Sequence, residues 1–294
     1  MKTGEEMISV AIQGVRGSFH EIAAIEYFTG KEIATVPCDT FDDLFRLVKG
    51  RKAGYGIVAF ENSVAGSILP NYELLRKSHL SVTGEIYLRV IQNLIALPGQ
   101  HLNDIHEIHS HPMAIQQCSL FLEKMRKEGG KVVETIDTAL SARLISEKKQ
   151  YGIGAIASSS AAAMYNLSII KKEIEDDRQN FTRFLIISGN RNGTPDISME
   201  NNTDKAMVCF SLPHKVGSLS QVLSVLAFYQ VSLTRIQSLP IVGKPWEYLF
   251  HIDLLFSDFH RYRMALDAIR PLTEGLEIVG EFRQGLMPYS GEQN

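Results

Sequence analysis

The sequence has few cysteines, no long apolar run and no excess of basic residues. Its three cysteines, Cys38, Cys118 and Cys209, lie far apart and form no CxxC pair, so they are expected to be reduced and buried. No segment approaches the roughly 20 apolar residues that span a bilayer, and residues 1–9 lack the apolar stretch of a secretion signal. These absences predict a cytoplasmic protein without a membrane partner.

Several motifs that bind cofactors or carry nucleophiles are also absent. The chain contains no GxSxG, no P-loop and no GxGxxG, so nothing in it indicates a nucleotide or nicotinamide cofactor. The net charge of −3 argues against nucleic acid as a partner. Four histidines between His101 and His111 lie close in sequence, but they span a loop, a strand and a turn without HExxH, which disfavours a metal site.

What the chain does have is the pattern of a two-domain α/β protein. A length of 294 residues with 45% hydrophobic content favours two domains. Short apolar runs alternate with helical stretches over residues 8–190, which is typical of mostly parallel sheets and predicts two lobes with a cleft between them. One helix is predicted from Pro112 to about Lys127. Residues 189–204 indicate a linker, and residues 204–284 follow the ferredoxin-like order β-α-β-β-α-β.

Four segments bring polar groups to the ends of predicted strands, where α/β folds bind ligands. They are Gly14–Ser18, Glu61-Asn62-Ser63, Ser110-His111-Pro112 with Gln116-Gln117, and Asn180-Phe181-Thr182-Arg183-Phe184. Taken singly, each is equally well explained as a tight turn, a helix cap or a polar strand entry. Together they predict a cleft suited to a small anion, with no reaction specified.

In this order along the chain, the segments resemble the prephenate dehydratase family. The match extends through Tyr55-Gly56-Ile57-Val58, Glu61 to Ser67, Ser110-His111-Pro112 with Gln117-Cys118, Asp137-Thr138-Ala139, Ala157-Ser158 and Asn180 to Phe184. The C-terminal part resembles the ACT domain of this family, and Gly217-Ser218-Leu219 matches one of its two ligand motifs. The second motif usually reads Glu-Ser-Arg-Pro, whereas this chain has Gln237-Ser238-Leu239-Pro240.

The resemblance implies a fold, a reaction and a set of roles. The catalytic domain, residues 8–190, would have the two-lobed fold of type 2 periplasmic binding proteins, with an ACT domain at residues 204–284. The reaction would convert prephenate to phenylpyruvate without a cofactor, and L-phenylalanine would regulate dimers or tetramers that assemble through the ACT domains. The implied catalytic residues are Thr182, Glu61 and Asn62, the substrate-binding residues are Ser18, Ser63, Ser110, Gln117, Thr138, Asn180, Arg183 and Phe184, and the residues for L-phenylalanine are Gly217, Ser218, Leu219, Gln237 and Ser238.

Three alternatives stay open at this point. Arogenate differs from prephenate only in carrying an amino group in place of the keto group, and no residue decides between the two substrates. The same fold also serves non-catalytic capture of small anions. Within the dehydratase interpretation, Thr182 is expected to donate a hydrogen bond to the leaving oxygen, Glu61 is the alternative acid, and Arg183 is expected to anchor a carboxylate.

Overall fold

The computed structural model describes residues 7–189, 203–241 and 243–286, which divide into two units. The first unit comprises residues 7–79 and 86–189. The second comprises residues 80–85, 203–241 and 243–286. The predicted domain ranges placed residues 80–85 in the first domain, whereas in the structure they group with the second unit, where Val82 pairs with Gly280.

The first lobe of the first unit is a mainly parallel sheet with helices on both faces. Its elements are β1 (Ile8–Gln13), α1 (Phe19–Tyr27), β2 (Ile33–Cys38), α2 (Phe41–Lys49), β3 (Tyr55–Asn62), β4 (Gly66–Ser67), α3 (Leu69–Ser78) and the last part, residues 86–89, of β5 (Ser81–Arg89). β1 lies between β2 and β3 and is parallel to both. α1 and α2 begin where Ser18 and Thr40 each accept a backbone N–H of the first turn, as N-cap residues do.

The second lobe is a five-stranded sheet built from the middle of the chain. Its elements are β6 (Asn93–Ala96), β7 (Glu107–Ser110), α4 (Pro112–Gln117), α5 (Ser119–Lys127), β8 (Lys131–Glu134), α6 (Thr138–Glu147), β9 (Ile153–Ala157), α7 (Ser159–Met164) and β10 (Ser168–Lys171). The strand order is β10-β6-β9-β7-β8. The chain then returns to the first lobe as β11 (Phe181–Ser188), antiparallel to β3. The α/β class and the two-lobed arrangement are thus confirmed.

One predicted helix is two helices in the structure. The segment from Pro112 to Lys127 breaks at Cys118, between α4 and α5. The carboxylate of Asp176 accepts the backbone N–H of Ser119 at 2.8 Å and of Leu120 at 3.0 Å, so it caps a new helix start at this point. Because Asp176 is distant in sequence, helical periodicity alone could not reveal the break.

The second unit has the predicted β-α-β-β-α-β order. Its elements are β12 (Lys205–Ser211), α8 (Ser218–Phe228), β13 (Ser232–Pro240), β14 (Tyr248–Leu255), α9 (Phe259–Ile269) and β15 (Glu274–Phe282). The strands follow the order β13-β14-β12-β15, and the two helices cover one face through a core that includes Phe210, Leu226 and Tyr262. Most of the predicted linker, residues 190–202, lies outside the described residues.

Among the residues that the structure describes, no helix is long and apolar enough to cross a bilayer.

Candidate active site

A cavity of about 460 Å³ lies in the first unit, between its two lobes. Both lobes contribute to the wall, and apolar side chains alternate with amides, hydroxyls and imidazoles. The lining residues are Gln13, Ser18, Phe19, His20, Phe41, Ala59, Asn62, Ala65, Ser67, Ile68, Val90, Gln92, His111, Met113, Ala114, Gln117, Ile136, Asp137, Thr138, Thr182 and Phe184. The volume and the mixed wall suit one small polar ligand.

A buried amide network fixes Thr182 in the cavity wall. Thr182 on β11 lies directly opposite Asn62 on β3. Asn62 Nδ2 donates to Thr182 Oγ1 at 3.0 Å and to Asn180 Oδ1 at 2.7 Å. All three residues are buried. The network therefore holds the hydroxyl in one place while leaving it on the wall of the cavity.

The direction of these hydrogen bonds follows from the other end of the Asn62 amide. Asn62 Oδ1 accepts the backbone N–H of Val64 at 3.0 Å and of Ala65 at 2.8 Å. Because a backbone N–H can only donate, Nδ2 must be the atom that faces Thr182. Thr182 Oγ1 is then an acceptor from Asn62, and its own proton remains to be donated to a ligand in the cavity.

Glu61 and Arg183 lie on the opposite face of the same two strands. They pair with each other across β3 and β11, one position along from the pair of Asn62 and Thr182. Since successive residues of a strand point to opposite faces, their side chains point away from the face that carries Thr182. Neither lines the cavity. Their predicted roles as acid and carboxylate anchor stay predictions, and the cavity geometry gives them no support.

Three other predicted residues lie behind the wall. Ser63 Oγ donates to the carbonyl of Gln179 at 2.6 Å and accepts the N–H of Phe181 at 2.9 Å, which ties the entry of β11 to the end of β3. Ser110 Oγ donates to the carbonyl of Ile156 at 2.7 Å between neighbouring strands. Asn180 acts through Asn62, as described above. In this structure these side chains position the site and do not line it.

The remaining predicted residues, Ser18, Gln117, Thr138 and Phe184, do line the cavity. Ser18 caps α1, and Asp137 caps α6 by accepting the N–H of Leu140 at 2.7 Å. The starts of these two helices therefore face the cavity from different lobes. First-turn amides that a cap leaves unbonded, together with the helix dipole, favour an anion at such positions.

Three titratable side chains line the cavity: His20, His111 and Asp137. Burial lowers the pKa of His20 to about 3. Burial also lowers the pKa of His111, against the opposing effect of Asp137, and raises the pKa of Asp137, against hydrogen bonds from the amides of Leu140 and Ala139. Among the residues that the structure describes, no lysine or arginine lines the cavity.

A family model and several relatives show the family to which this chain belongs. The family model for prephenate dehydratase matches residues 10–192. The chain belongs to the prephenate dehydratase family. Members of this family are carbon–oxygen lyases. The chain is 36% identical to arogenate dehydratase/prephenate dehydratase 2 of Arabidopsis thaliana, over 91% of this chain and 70% of that protein. It is 31% identical to the bifunctional chorismate mutase/prephenate dehydratase of Aquifex aeolicus, over 96% and 75%.

Solved structures resemble the whole described architecture. A prephenate dehydratase from Arthrobacter aurescens, in complex with L-Phe, has a TM-score of 0.81 and 26% identity, over 94% of this chain and 90% of that one. A protein described as a novel type of quorum quenching acylase has a TM-score of 0.83 and 29% identity, over 96% and 99%. The predicted fold class is therefore that of solved members of the dehydratase family.

Several residues of this dehydratase cavity were not predicted from the sequence. His20, Gln92 and Asp137 line it but were not predicted to bind substrate. A signal for His20 does exist, because it is the second helical residue after the cap Ser18, at a helix start already predicted to face a ligand. Gln92 lies in the extended crossing between the lobes, and only the folded chain brings its amide to within 3.3 Å of Gln117 Oε1.

The residues predicted to bind L-phenylalanine fall in two places of the second unit. Gly217 has a φ of +84° and precedes α8, Ser218 Oγ donates to the carbonyl of Pro213 at 2.9 Å, and Leu219 packs against the core. Gln237 and Ser238 lie on β13, at the edge of the described sheet of that unit. Their role as a regulatory site stays a prediction.

Proposed function

We propose that this chain converts prephenate to phenylpyruvate, with loss of water and CO2. The observation that carries the proposal is Thr182, held by the Asn62 amide on the wall of a cavity of about 460 Å³, in a chain that matches the dehydratase family model over residues 10–192. Loss of the ring hydroxyl and the ring carboxylate makes the ring aromatic. That gain drives the reaction, so we include no cofactor in the proposal.

In this proposal Thr182 assists departure of the ring hydroxyl. Asn62 occupies the lone-pair side of Thr182 Oγ1, which directs the hydroxyl proton toward the cavity. A donor fixed in advance costs no reorganisation when negative charge develops on the leaving oxygen. Thr182→Ala should therefore lower kcat by about 10²–10³-fold with little change in KM.

The two carboxylates of prephenate would be held by neutral donors. The described part of the chain places no lysine or arginine in the wall, but it places there the start of α1 with Ser18 and the start of α6 with Thr138. Ser18 Oγ accepts a bond from its own helix, so its proton stays available to a carboxylate. Gln117 can donate an amide N–H from the second lobe. Binding from both lobes would hold the cleft closed around the substrate.

The candidate functions differ in the substrate that the chain turns over. The test is incubation of the purified chain with prephenate and, separately, with arogenate, with aromatic product followed by absorbance in alkali or by chromatography. We expect phenylpyruvate from prephenate. Phenylalanine from arogenate with no turnover of prephenate would make the chain an arogenate dehydratase. No turnover of either would favour a binding protein. Acylase activity is a third activity to test, because a structural relative is described as a quorum quenching acylase.

The second unit is proposed to be an ACT domain that binds L-phenylalanine. Two observations favour this: its β-α-β-β-α-β order and the L-Phe complex of the Arthrobacter aurescens relative. Glycine at position 217, with its left-handed φ of +84°, would let the backbone approach an amino acid closely. Calorimetry with L-phenylalanine should show binding, and absence of heat at millimolar ligand would remove this part of the proposal.

Assembly and location complete the proposal. β13 is an edge strand of the described sheet, and edge strands pair readily with a second copy, so we expect dimers or tetramers formed through the second unit. Light scattering on the full chain measures this directly. The cytoplasmic location expected from the sequence is retained as part of the proposal and is checked by cell fractionation.

A further inference from the structure

His20 is a cavity residue whose ring has no hydrogen-bond partner at Nε2. The residue is the second of α1, and its ring packs between Phe41, at 5.5 Å between centroids, and Phe184, at 5.0 Å. It lines the cavity. Nε2 is buried and has no partner among the described residues. Buried polar atoms are nearly always hydrogen-bonded, so an unpaired nitrogen in a ring that lines a cavity points to a bond completed by a ligand.

The ring of His20 lies on the same side of the sheet as Thr182. Thr182 and Phe184 are two residues apart on β11, so their side chains share a face and are about 7 Å apart along the strand. The edge-to-face contact with Phe184 sets the imidazole beside that face. A six-membered ring bound in the cavity would therefore contact His20 and Thr182 together.

The reaction requires a proton that Thr182 cannot supply. Prephenate carries two negative charges, whereas phenylpyruvate carries one and CO2 and water carry none, so each turnover consumes one proton. A threonine hydroxyl can orient a hydrogen bond, but it is a poor net proton source at neutral pH. The donor must come from the titratable groups that line the cavity or from solvent.

The other two titratable groups, Asp137 and His111, each cap a helix through a backbone N–H bond. Asp137 Oδ1 accepts the N–H of Leu140 at 2.7 Å, and its Oδ2 lies against the Cα of Gly14, within 2.6 Å of where a Cβ would be. His111 Nδ1 accepts the N–H of Met113 at 3.2 Å and caps α4, a bond that protonation of Nδ1 would break. His20 has no comparable bond at Nε2.

We propose that His20 is a further catalytic residue, whose imidazole takes up a proton as the dianionic substrate binds and gives it to the departing hydroxyl. This inference rests on the proposed dehydratase function. In the step, an imidazolium N–H bond breaks and an O–H bond forms on the ring oxygen. The C–O bond breaks, the electrons of the bond to the ring carboxylate enter the ring, and CO2 and water leave. Neutral His20 regains its proton from solvent with the next substrate.

The protonation state of His20 is expected to depend on the ligand more than on the side chains around it. Its ring neighbours are aromatic, and burial lowers its pKa to about 3. The carboxylate of Glu21 on the same helix is directed elsewhere, to the amide of Gly17 at 2.6 Å and the hydroxyl of Thr35 at 2.8 Å. Two carboxylates arriving in the cavity would raise the pKa of His20 strongly, because opposite charges within a few ångströms favour the protonated imidazole.

The charged side chains on the other elements around His20 are exposed, paired with another group, or directed away from its ring. On α2, Asp42 is exposed and Asp43 pairs with Arg46. On β11, Arg183 lies on the opposite face, paired with Glu61 in register. From the second lobe, Asp137 and His111 face the same cavity and are engaged as described. The carboxylates of a bound substrate would thus be the main charges newly brought near His20.

The first test replaces His20 with asparagine. We expect kcat for prephenate to fall by about 10²–10⁴-fold, with KM changed by only a few-fold. If His20 is the acid, kcat of the unsubstituted chain should decline at high pH as the imidazolium loses its proton, and this decline should disappear in His20→Asn. His79→Asn is the matched control, because His79 is exposed, ends α3 in a left-handed conformation that asparagine tolerates, and lies outside the cavity wall. If His20→Asn does not fold, as judged by circular dichroism, His20→Gln takes its place.

The second test measures the proton directly. In the Thr182→Ala background, prephenate is mixed with protein in weak buffer near pH 7 while an indicator dye reports proton uptake. We expect a fast uptake approaching about one proton per site before the slow turnover. The fast phase should vanish when His20→Asn is added to Thr182→Ala. A fast phase that persists in the double variant, or wild-type kcat in His20→Asn, would overturn the assignment. Failure of the unsubstituted chain to consume prephenate would instead remove the proposed function itself.

Discussion

Replacing Asn62 with aspartate should disable the site while leaving its framework in place. The carboxylate can still accept the N–H groups of Val64 and Ala65, as Oδ1 of asparagine does at 3.0 and 2.8 Å. It cannot donate to Thr182 Oγ1, so the threonine hydroxyl will donate to the carboxylate and turn its proton away from the cavity. Loss of one such donor to the reacting oxygen costs about 10²–10³-fold in kcat, or about 2.7–4 kcal/mol.

The stability cost of Asn62→Asp should be moderate. Asn180 Nδ2 is buried without a partner among the described residues, so its amide can flip and donate to the new carboxylate. The bond to the carbonyl of Phe181, now 3.2 Å, is lost, and a charge is partly desolvated. An unsatisfied group of this kind costs about 1–3 kcal/mol. For a unit of this size, each kcal/mol lowers Tm by about 2–4 °C.

The assay for Asn62→Asp is kcat and KM for prephenate, with Tm measured on the same samples. Asn166→Asp is the control, because it makes the same chemical change at an exposed turn residue outside the cavity wall. We expect the control to retain its kcat. A folded Asn62→Asp variant with kcat within about threefold of the parent chain would show that donation by Thr182 is not what the Asn62 amide secures.

Three further predictions concern the walls of the cavity. Gly14→Ala and Gly30→Ala both place alanine at a positive φ, +91° and +83°, and should both lower Tm. Only at Gly14 does the new Cβ lie 2.6 Å from Oδ2 of Asp137, so only that variant should also have a lower kcat/KM for prephenate. His20→Phe should remove a source of acid sensitivity: the pKa of His20 falls from 6.5 when unfolded to about 3 when folded, so the unfolded state binds more protons and stability is lost as pH falls from 6.5 toward 3. The free-energy advantage of the phenylalanine variant, measured by urea unfolding, should grow by about 1.4 kcal/mol per pH unit in that window, and a constant difference would contradict the buried neutral imidazole. Glu61→Gln should keep the shape of the kcat–pH profile, because its strand position faces away from the cavity, and loss of a limb would restore Glu61 as the acid.

The sequence was sufficient to predict the fold class, and the family resemblance named two residues, Asn62 and Thr182, that the structure brings together. Alternation of apolar runs with capped helices predicts the two-lobed α/β unit, and the collinear motifs predict that Asn62 and Thr182 meet although they are 120 residues apart. The fold prediction rests on the periods of strands and helices, and the grouping of Asn62 with Thr182 rests on the resemblance to the family.

The facing of individual side chains was not predictable in the same way. Arg183 pairs with Glu61 but Phe184 pairs with Ala59, so β3 carries one extra residue and counting along β3 does not show which of its residues reach the cavity. Arg183 is the only arginine in its motif, yet it is 3% exposed on the far face. The break at Cys118 has the same origin, since it depends on Asp176, a partner that only the folded chain brings near.

The turnover of prephenate by the intact chain and by Thr182→Ala tests the proposed role of Thr182. We expect the purified chain to release phenylpyruvate, measured by absorbance in alkali, and Thr182→Ala to lower kcat by about 10²–10³-fold at similar KM while folding normally. A folded chain that consumes neither prephenate nor arogenate, or a Thr182→Ala variant with undiminished kcat, would contradict this role.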